Sequence, residues 1–294
     1  MGLPFTKPEY WTSYSEFVAV IEQHGGTPYF VREQSTYLGN GKFTNSWQIR
    51  EGKVVETGPM TAHVIFDKGR FVTDNAIPVF NDPRVADFCL DKWEMYQQLK
   101  QYCPFTMYIQ NQEELHAALP HISTSTVVLK PVKGAEGLGV KIDKKEVMER
   151  TSLQFEYPAL LSEFLDTSCG IPGIVEGTHD LRVALLDGEP AYSYVRTPPS
   201  GSLLANVALG GHWKMIEISR IPREILELAR HVDQRFHIIP HRFYGIDFGY
   251  TKNGPKIIEM NAELGLDMNE DDPVFLTIKM KLAKILIELA DQST

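Results

Sequence analysis

Hydrophobic and polar positions along this chain switch repeatedly between helical spacing and strand-like alternation. Near the start, Phe17, Val18, Val20 and Ile21 follow Ser13-Tyr14-Ser15-Glu16, a capping-box pattern, and Gly25-Gly26 ends the helix that it opens. Pro28–Val31 then reads as a strand, and short β-like pieces follow at 46–49, 54–55 and 63–66 between glycine-containing turns. Residues 77–80 form a further strand, and Asp82-Pro83 opens a helical stretch through Asp91-Lys92-Trp93-Glu94 to about Tyr102.

From Pro104 the pattern predicts a helix capped by Asn111-Gln112-Glu113-Glu114, a helix capped by Asp143-Lys144-Lys145-Glu146, and strands at 126–130, 139–142 and 159–164. Beyond them come strands at 181–186 and 191–196 and a Pro/Gly/Ser stretch from Thr197 to Ser202. An amphipathic helix runs from Pro222 to about Phe236, a hairpin spans 245–261, and a C-terminal helix begins at Pro273. Alternating strands and helices with several hairpins define an α+β (mixed α/β) protein. Three lobes are expected, at 1–103, 104–165 and 166–294, because 294 residues are many for one compact core.

Hydrophobic residues make up 43% and charged residues 23%, which excludes disordered and fibrous classes. With 29 Lys+Arg against 38 Asp+Glu the net charge is -9, so there is no cation excess to neutralise nucleic-acid or membrane phosphates. A phosphate compound can still be held, but only by locally placed lysines or backbone N–H groups. No apolar run approaches the roughly 20 residues of a membrane helix, and no stretch reads as a signal peptide. Cys89, Cys103 and Cys169 lack metal-ligand spacing and read as reduced thiols of a cytoplasmic protein. Met1-Gly2-Leu3-Pro4-Phe5-Thr6 fits the loose myristoylation pattern, which a short segment often matches by chance.

Two segments carry candidate chemistry. In the first, Lys130-Pro131-Val132-Lys133-Gly134-Ala135-Glu136-Gly137-Leu138-Gly139-Val140-Lys141, three glycines let the backbone turn its N–H groups toward an anion. Lys130, Lys133 and Lys141 add positive charge there. The glycine order is neither a dinucleotide turn nor a P-loop, and a strand-like Val140–Ile142 follows where those motifs need a helix. The segment is therefore a β-loop-β flap, suited to phosphate; the alternative is a hairpin whose lysines only solubilise it.

The second segment is a hairpin, 245–250 and 256–261, around an Asn-Gly turn. A tight turn at Asn253-Gly254 would set Asp247 opposite Met260. A five-residue loop, 251–255, sets it opposite Glu259, and a three-residue loop, 253–255, opposite Asn261. Pro255 cannot donate to the ladder, which favours the wider loops. In either of these, Asp247, Glu259 and Asn261 share one face while Ile246, Phe248, Ile258 and Met260 line the other. Two carboxylates and an amide oxygen are hard ligands suited to Mg²⁺; the alternative is a solvated polar face.

In this order the segments resemble the ATP-grasp superfamily, most closely the branch of ribosomal-protein glutamate ligases, lysine-biosynthesis amino-group ligases and bacterial glutathione synthetase. The resemblance runs from about Asn81 to Leu266. It implies two α+β lobes clasping ATP behind a small α/β N-terminal lobe. Lys92 and Lys130 are similar to the family's ATP-contacting lysines, and Lys133, Gly134, Gly137 and Gly139 to its phosphate-covering flap. Glu163, Phe164 and Leu165 resemble the hinge that holds adenine, and Asp247, Glu259 and Asn261 the ligands of Mg²⁺, or of Mn²⁺ in its place. Arg182 and Asn206 would face the γ-phosphate and the acceptor.

The activity so implied is ADP-forming ligation of a carboxylate to an amine, amino acid or peptide, through an acylphosphate. An ATP-grasp kinase acting on a hydroxyl, or a nucleotide-binding module without catalysis, would carry much of the same pattern. Relatives are commonly dimers or tetramers, which points to a homo-oligomer, and neither nucleic acid nor membrane is an expected partner. Two departures lie toward the acceptor: Leu204 stands where close relatives have arginine, and Glu263-Leu264 where they have Ser-Pro. Arg196 either faces ligand or pairs with Glu189, and the histidines, including His179 and His212, read as scaffold.

Overall fold

Pro8 opens helix α1 (Pro8–Gln23) in a computed structural model that describes residues 8–68, 76–134, 137–150, 155–205, 210–266 and 273–293. Asn206 and the start at residues 1–6 lie outside the described residues. The capping box expected at Ser13 is not the start of this helix. Ser13 lies inside it, fully buried, and its hydroxyl donates to the Leu266 carbonyl, a tertiary bond that local pattern does not reveal. Among the described residues seven short strands follow: β1 (Tyr37–Gly39), β2 (Lys42–Phe43), β3 (Trp47–Arg50), β4 (Lys53–Glu56), β5 (Met60–Thr61), β6 (Ile65–Phe66) and β7 (Val79–Phe80). They form a sheet in the order β1-β2-β5, an antiparallel β3–β4 hairpin and a parallel β6–β7 pair. The strand expected at Pro28–Val31 shrinks to one bridge, in which Phe30 pairs with Trp47.

The helix expected from 83 to about 102 is two helices, α2 (Pro83–Leu90) and α3 (Lys92–Leu99). Asp91 separates them. Its extended backbone leaves the side chain free to accept from the N–H groups of Trp93 at 3.1 Å and Glu94 at 3.0 Å, an N-cap that starts a new helix at Lys92. Next come β8 (Thr106–Ile109), α4 (Gln112–Ala118), β9 (Thr126–Pro131), β10 (Lys141–Lys144), α5 (Lys145–Arg150) and β11 (Ala159–Glu163). Asn111 caps α4 as expected, accepting from Glu114 N–H at 2.9 Å. The strands pair antiparallel in the order β10-β9-β11-β8, over a core that includes Leu115, Val127, Leu129 and Leu161.

The remaining strands, β12 (Asp180–Leu186), β13 (Glu189–Thr197), β14 (His212–Met215), β15 (Phe243–Thr251) and β16 (Gly254–Asn261), make an antiparallel sheet in the order β14-β13-β12-β15-β16. Alternation sends Leu181, Val183, Ile246, Phe248, Ile257 and Met260 to one face. There they pack with Ile225, Leu228, Ala229 and Val232 of α6 (Arg223–Asp233). Helix α7 (Pro273–Asp291) ends the chain and packs on α1, where the buried Lys279 pairs with Glu16 at 2.6 Å.

Packing groups the chain into two compact units, residues 84–262 and residues 1–83 with 263–294. Both four- and five-stranded sheets, with the whole of α3, belong to the first. Among the described residues no helix is long and apolar enough to cross a membrane.

Phe248 has no exposed surface at the centre of the larger core, so Phe248→Ala should cost about 3–5 kcal/mol in chemical denaturation; a loss under about 1 kcal/mol would contradict this packing. Cys89 and Cys103 are buried and Cys169 is exposed; burial raises both buried thiols, Cys103 to about 11. A thiol reagent near neutral pH should therefore modify one cysteine rapidly in the folded protein and the other two only on unfolding.

Candidate active site

The site is a grid on the face of the five-stranded sheet opposite its core. In an antiparallel sheet, residues directly opposite one another point the same way. Tyr194 on β13 lies opposite Arg182 on β12, Arg182 opposite Asp247 on β15, and Asp247 opposite Glu259 on β16. One step along, Tyr192, Ala184, Gly245 and Asn261 form a parallel row, whose two small residues leave room beside the amide. On the other side, Asp180 lies opposite Arg196.

The shared face of Asp247, Glu259 and Asn261 arises differently from either loop considered above. The turn is tight, at Lys252-Asn253, with Thr251 opposite Gly254. Gly254 has φ of 92°, which glycine adopts without a Cβ clash. Pro255 is accommodated opposite Tyr250, and the pairing continues as far as Phe248 with Ile257. A β-bulge then inserts Ile258, so that Asp247 faces Glu259. The bulge also makes Ile257, in place of the expected Ile258, the core residue of this strand.

Asp247 is 1% exposed and carries the charge network. Arg182 donates to both its oxygens, from Nε at 2.5 Å and Nη2 at 2.6 Å. Arg196 donates from Nη2 to Asp247 Oδ2 at 2.7 Å and from Nε to Asp180 Oδ1 at 2.6 Å, so its partners are these two acids and not Glu189. Burial would raise the Asp247 carboxyl, but the two guanidiniums outweigh it and hold the group down at about 2. For Asp180 burial wins and pushes it up to about 6, despite Arg196. Asn261 Nδ2 completes the cluster, 3.3 Å from Asp247 Oδ2 and 3.4 Å from Glu259 Oε1.

Two lysines converge on the same end of the grid. The Asp91 cap places Lys92 at the first position of α3, where it is 7% exposed and its Nζ donates to the Gly134 carbonyl of the flap. Lys130, from β9, donates to the carbonyl of the bulge residue Ile258 at 3.3 Å. Burial pulls both lysines below their ordinary range, and the Glu259 carboxylate opposes this in each. In the flap, Gly137 at φ of 71° and Gly139 at φ of 74° flank an exposed Leu138.

Lys92, Lys130, Gly134, Arg182, Asp247, Glu259 and Asn261 are thus brought together. Lys133 is exposed. Glu163 is committed elsewhere, because its carboxylate accepts from Phe105 N–H at 3.3 Å and from the Ser123 hydroxyl. Phe164 N–H donates to Thr124 Oγ1 at 3.3 Å, and Leu165 packs over Gly249. Asp180 and Tyr194 were missed as site residues. The signal was present in the alternation Tyr192, Tyr194, Arg196 on β13, which sends large polar residues to the site face.

Residues 90–289 match the RimK-like ATP-grasp domain, and the chain belongs to that family. A probable alpha-L-glutamate ligase of Mannheimia succiniciproducens is 26% identical over 202 residues, 66% of this chain and 62% of that protein. A glutathione synthetase of Parasynechococcus marenigrum is 34% identical over 105 residues, 34% of this chain and 32% of that protein. The matched region therefore spans less than two thirds of these relatives' length. Among solved structures, a RiPP-associated ATP-grasp ligase of Chryseobacterium gregarium, in complex with ADP and a leader and core peptide, superposes with a TM-score of 0.63 at 13% identity, covering 94% of this chain and 93% of that one. An ATP-grasp RimK domain protein of Sphaerobacter thermophilus gives 0.62 at 15% identity over 96% of each chain. The ATP-grasp fold that the motifs imply is borne out.

The donor set fits one magnesium ion. Among the described residues Glu259 accepts a hydrogen bond only from the Asn261 amide, and Asn261 Oδ1 makes none. Asp247 Oδ2 accepts three N–H groups, which leaves Oδ1 as its only oxygen with room for a further partner. Among the described residues no third His, Cys, Asp or Glu joins them. Such a set suits a cation that keeps water and phosphate oxygens as its other ligands.

Asp247→Asn should destabilise the fold by about 3–5 kcal/mol in denaturant titration, because it leaves two buried guanidiniums short of their counter-charge. A loss below about 1 kcal/mol would mean that water, and not Asp247, neutralises them.

Proposed function

We propose that the chain is an ATP-dependent, ADP-forming carboxylate–amine ligase. The observation that carries this reading is that Lys130 bonds the Ile258 carbonyl next to Glu259 while Lys92 reaches the flap at Gly134, at the end of a row that also holds Arg182 and Asp247. A buried lysine at the positive end of a helix and a half-buried one on β9 are electrostatically costly until an anion meets them. A triphosphate is such an anion. The matched relatives named as glutamate ligase and glutathione synthetase support amide-bond formation as the reaction.

Lys92 and Lys130 would bind the phosphate chain, with the N–H groups of the Gly134–Gly139 flap closing over it to exclude water. Glu259, Asn261 and Asp247 Oδ1 would hold Mg²⁺, which neutralises phosphate charge when bound. Arg182 would face the charge that develops as a substrate carboxylate oxygen attacks the γ-phosphorus and ADP departs. The amine nitrogen then attacks the acyl carbon and phosphate leaves. Asn206 would stand on the acceptor side. The Glu163–Leu165 hinge would reach adenine through its main chain, since the Glu163 carboxylate is engaged.

Within this reading 104–165 and 166–294 are the two lobes that clasp ATP. The substrates are small carboxylates and amines of the amino-acid or peptide class. Leu204 and Glu263-Leu264 favour partners different from those of the named relatives. The three free cysteines and the need for ATP support a cytoplasmic location.

ADP release, screened over pairs of amino acids and short peptides with hydroxylamine as a trap, should depend on a carboxylate and yield a hydroxamate. Release that requires only a hydroxyl compound would instead establish a kinase. Glu259→Gln should lower ADP formation by about 10²-fold or more with circular dichroism unchanged, and near-normal turnover would sink the metal assignment.

A further inference from the structure

Both arginines of the charge network rest on one ring. The Arg182 guanidinium lies 5.7 Å and the Arg196 guanidinium 5.8 Å from the centroid of Tyr194, within the range of cation–π attraction. Tyr194 is 3% exposed and stands directly opposite Arg182 across β12 and β13. Its ring is itself held, stacked on Tyr192 at 6.2 Å with 12° between the planes and met edge-on by Trp213 at 6.1 Å. Each arginine thus has an acid on one side and an aromatic face on the other. The acids take Nε and Nη2, and neither Nη1 makes a hydrogen bond among the described residues. Two guanidiniums with uncommitted N–H groups, 12% and 10% exposed, form a receptor for anionic oxygens.

We propose that Tyr194 is a positioning residue, the shelf that orients Arg182 and Arg196 so that their free N–H edges meet the phosphoryl group being transferred. This rests on the ligase reading above. Like-charged guanidiniums repel, and Asp247 alone fixes only the edges that it binds. The ring face restrains both planes without using a donor, which the acids cannot do. Phenylalanine would keep the shelf, and leucine would remove it at similar hydrophobicity.

The test uses the full chain as wild type, Tyr194→Phe and Tyr194→Leu, with circular dichroism to confirm folding. Calorimetry measures magnesium-dependent binding of ADP and of a non-hydrolysable ATP analogue to each. The expected result is about tenfold weaker analogue binding by Tyr194→Leu, ADP binding within about twofold of wild type, and Tyr194→Phe within about threefold for both. Equal weakening of ADP and analogue, an unchanged Leu variant, or a Phe variant as weak as the Leu one would overturn the shelf while leaving the ligase reading standing. A wild-type chain that binds neither nucleotide would overturn both.

Discussion

Asp247 is a carboxylate in the middle of a central strand, 1% exposed, and an ion in that position costs several kcal/mol unless it is paired with good geometry. Two guanidiniums supply the pairing, Arg182 from the position directly across on β12 and Arg196 from β13, one strand further away. That requirement orders the face. Once Asp247 is neutralised by Arg182 and Arg196, Arg196 still has an Nε donor to satisfy, and Asp180 takes it. The two arginines and two aspartates sum to no net charge. The lysines and Glu259 at the other end stand outside that balance.

Two local departures from regular structure deliver those groups. The Asp91 cap interrupts what would otherwise be one helix and restarts it, which sets Lys92 at a helix start with its side chain reaching the flap. The bulge at Ile258 shifts one strand by a residue, which turns Glu259 to face Asp247 and offers the Ile258 carbonyl to Lys130. A slip of one residue in the opposite sense would have sent Glu259 to the core. Both devices are local, an Asx cap and a β-bulge, and the bulge alone turns Glu259 by a full face.

Much of this was legible. The glycine spacing at 134, 137 and 139 identified the flap, and the acids at 247 and 259 with Asn261 identified a polar hairpin face, because backbone freedom and strand alternation are local properties. Asp91-Lys92 carried the cap signal, although apolar periodicity through 83–102 masked it. What misled were residues whose chemistry serves a distant partner. Ser13 resembled a cap and instead bonds Leu266; Arg196 had an acid close in sequence, Glu189, but is taken by Asp180 and Asp247.

By itself, then, the sequence determined the class of fold, the flap and the set of ionisable residues on the hairpin face, since these follow from periodicity, glycine and residue type. Only the tertiary structure decided which of those charges neutralise one another and which stay open. The physical reason is that pairing depends on register across four strands, and on the last of them one inserted residue at Ile258 decides where Glu259 and Asn261 fall. The same holds for Tyr194: alternation along β13 assigns it a face, and its contact with the Arg182 guanidinium exists only once β12 and β13 lie side by side.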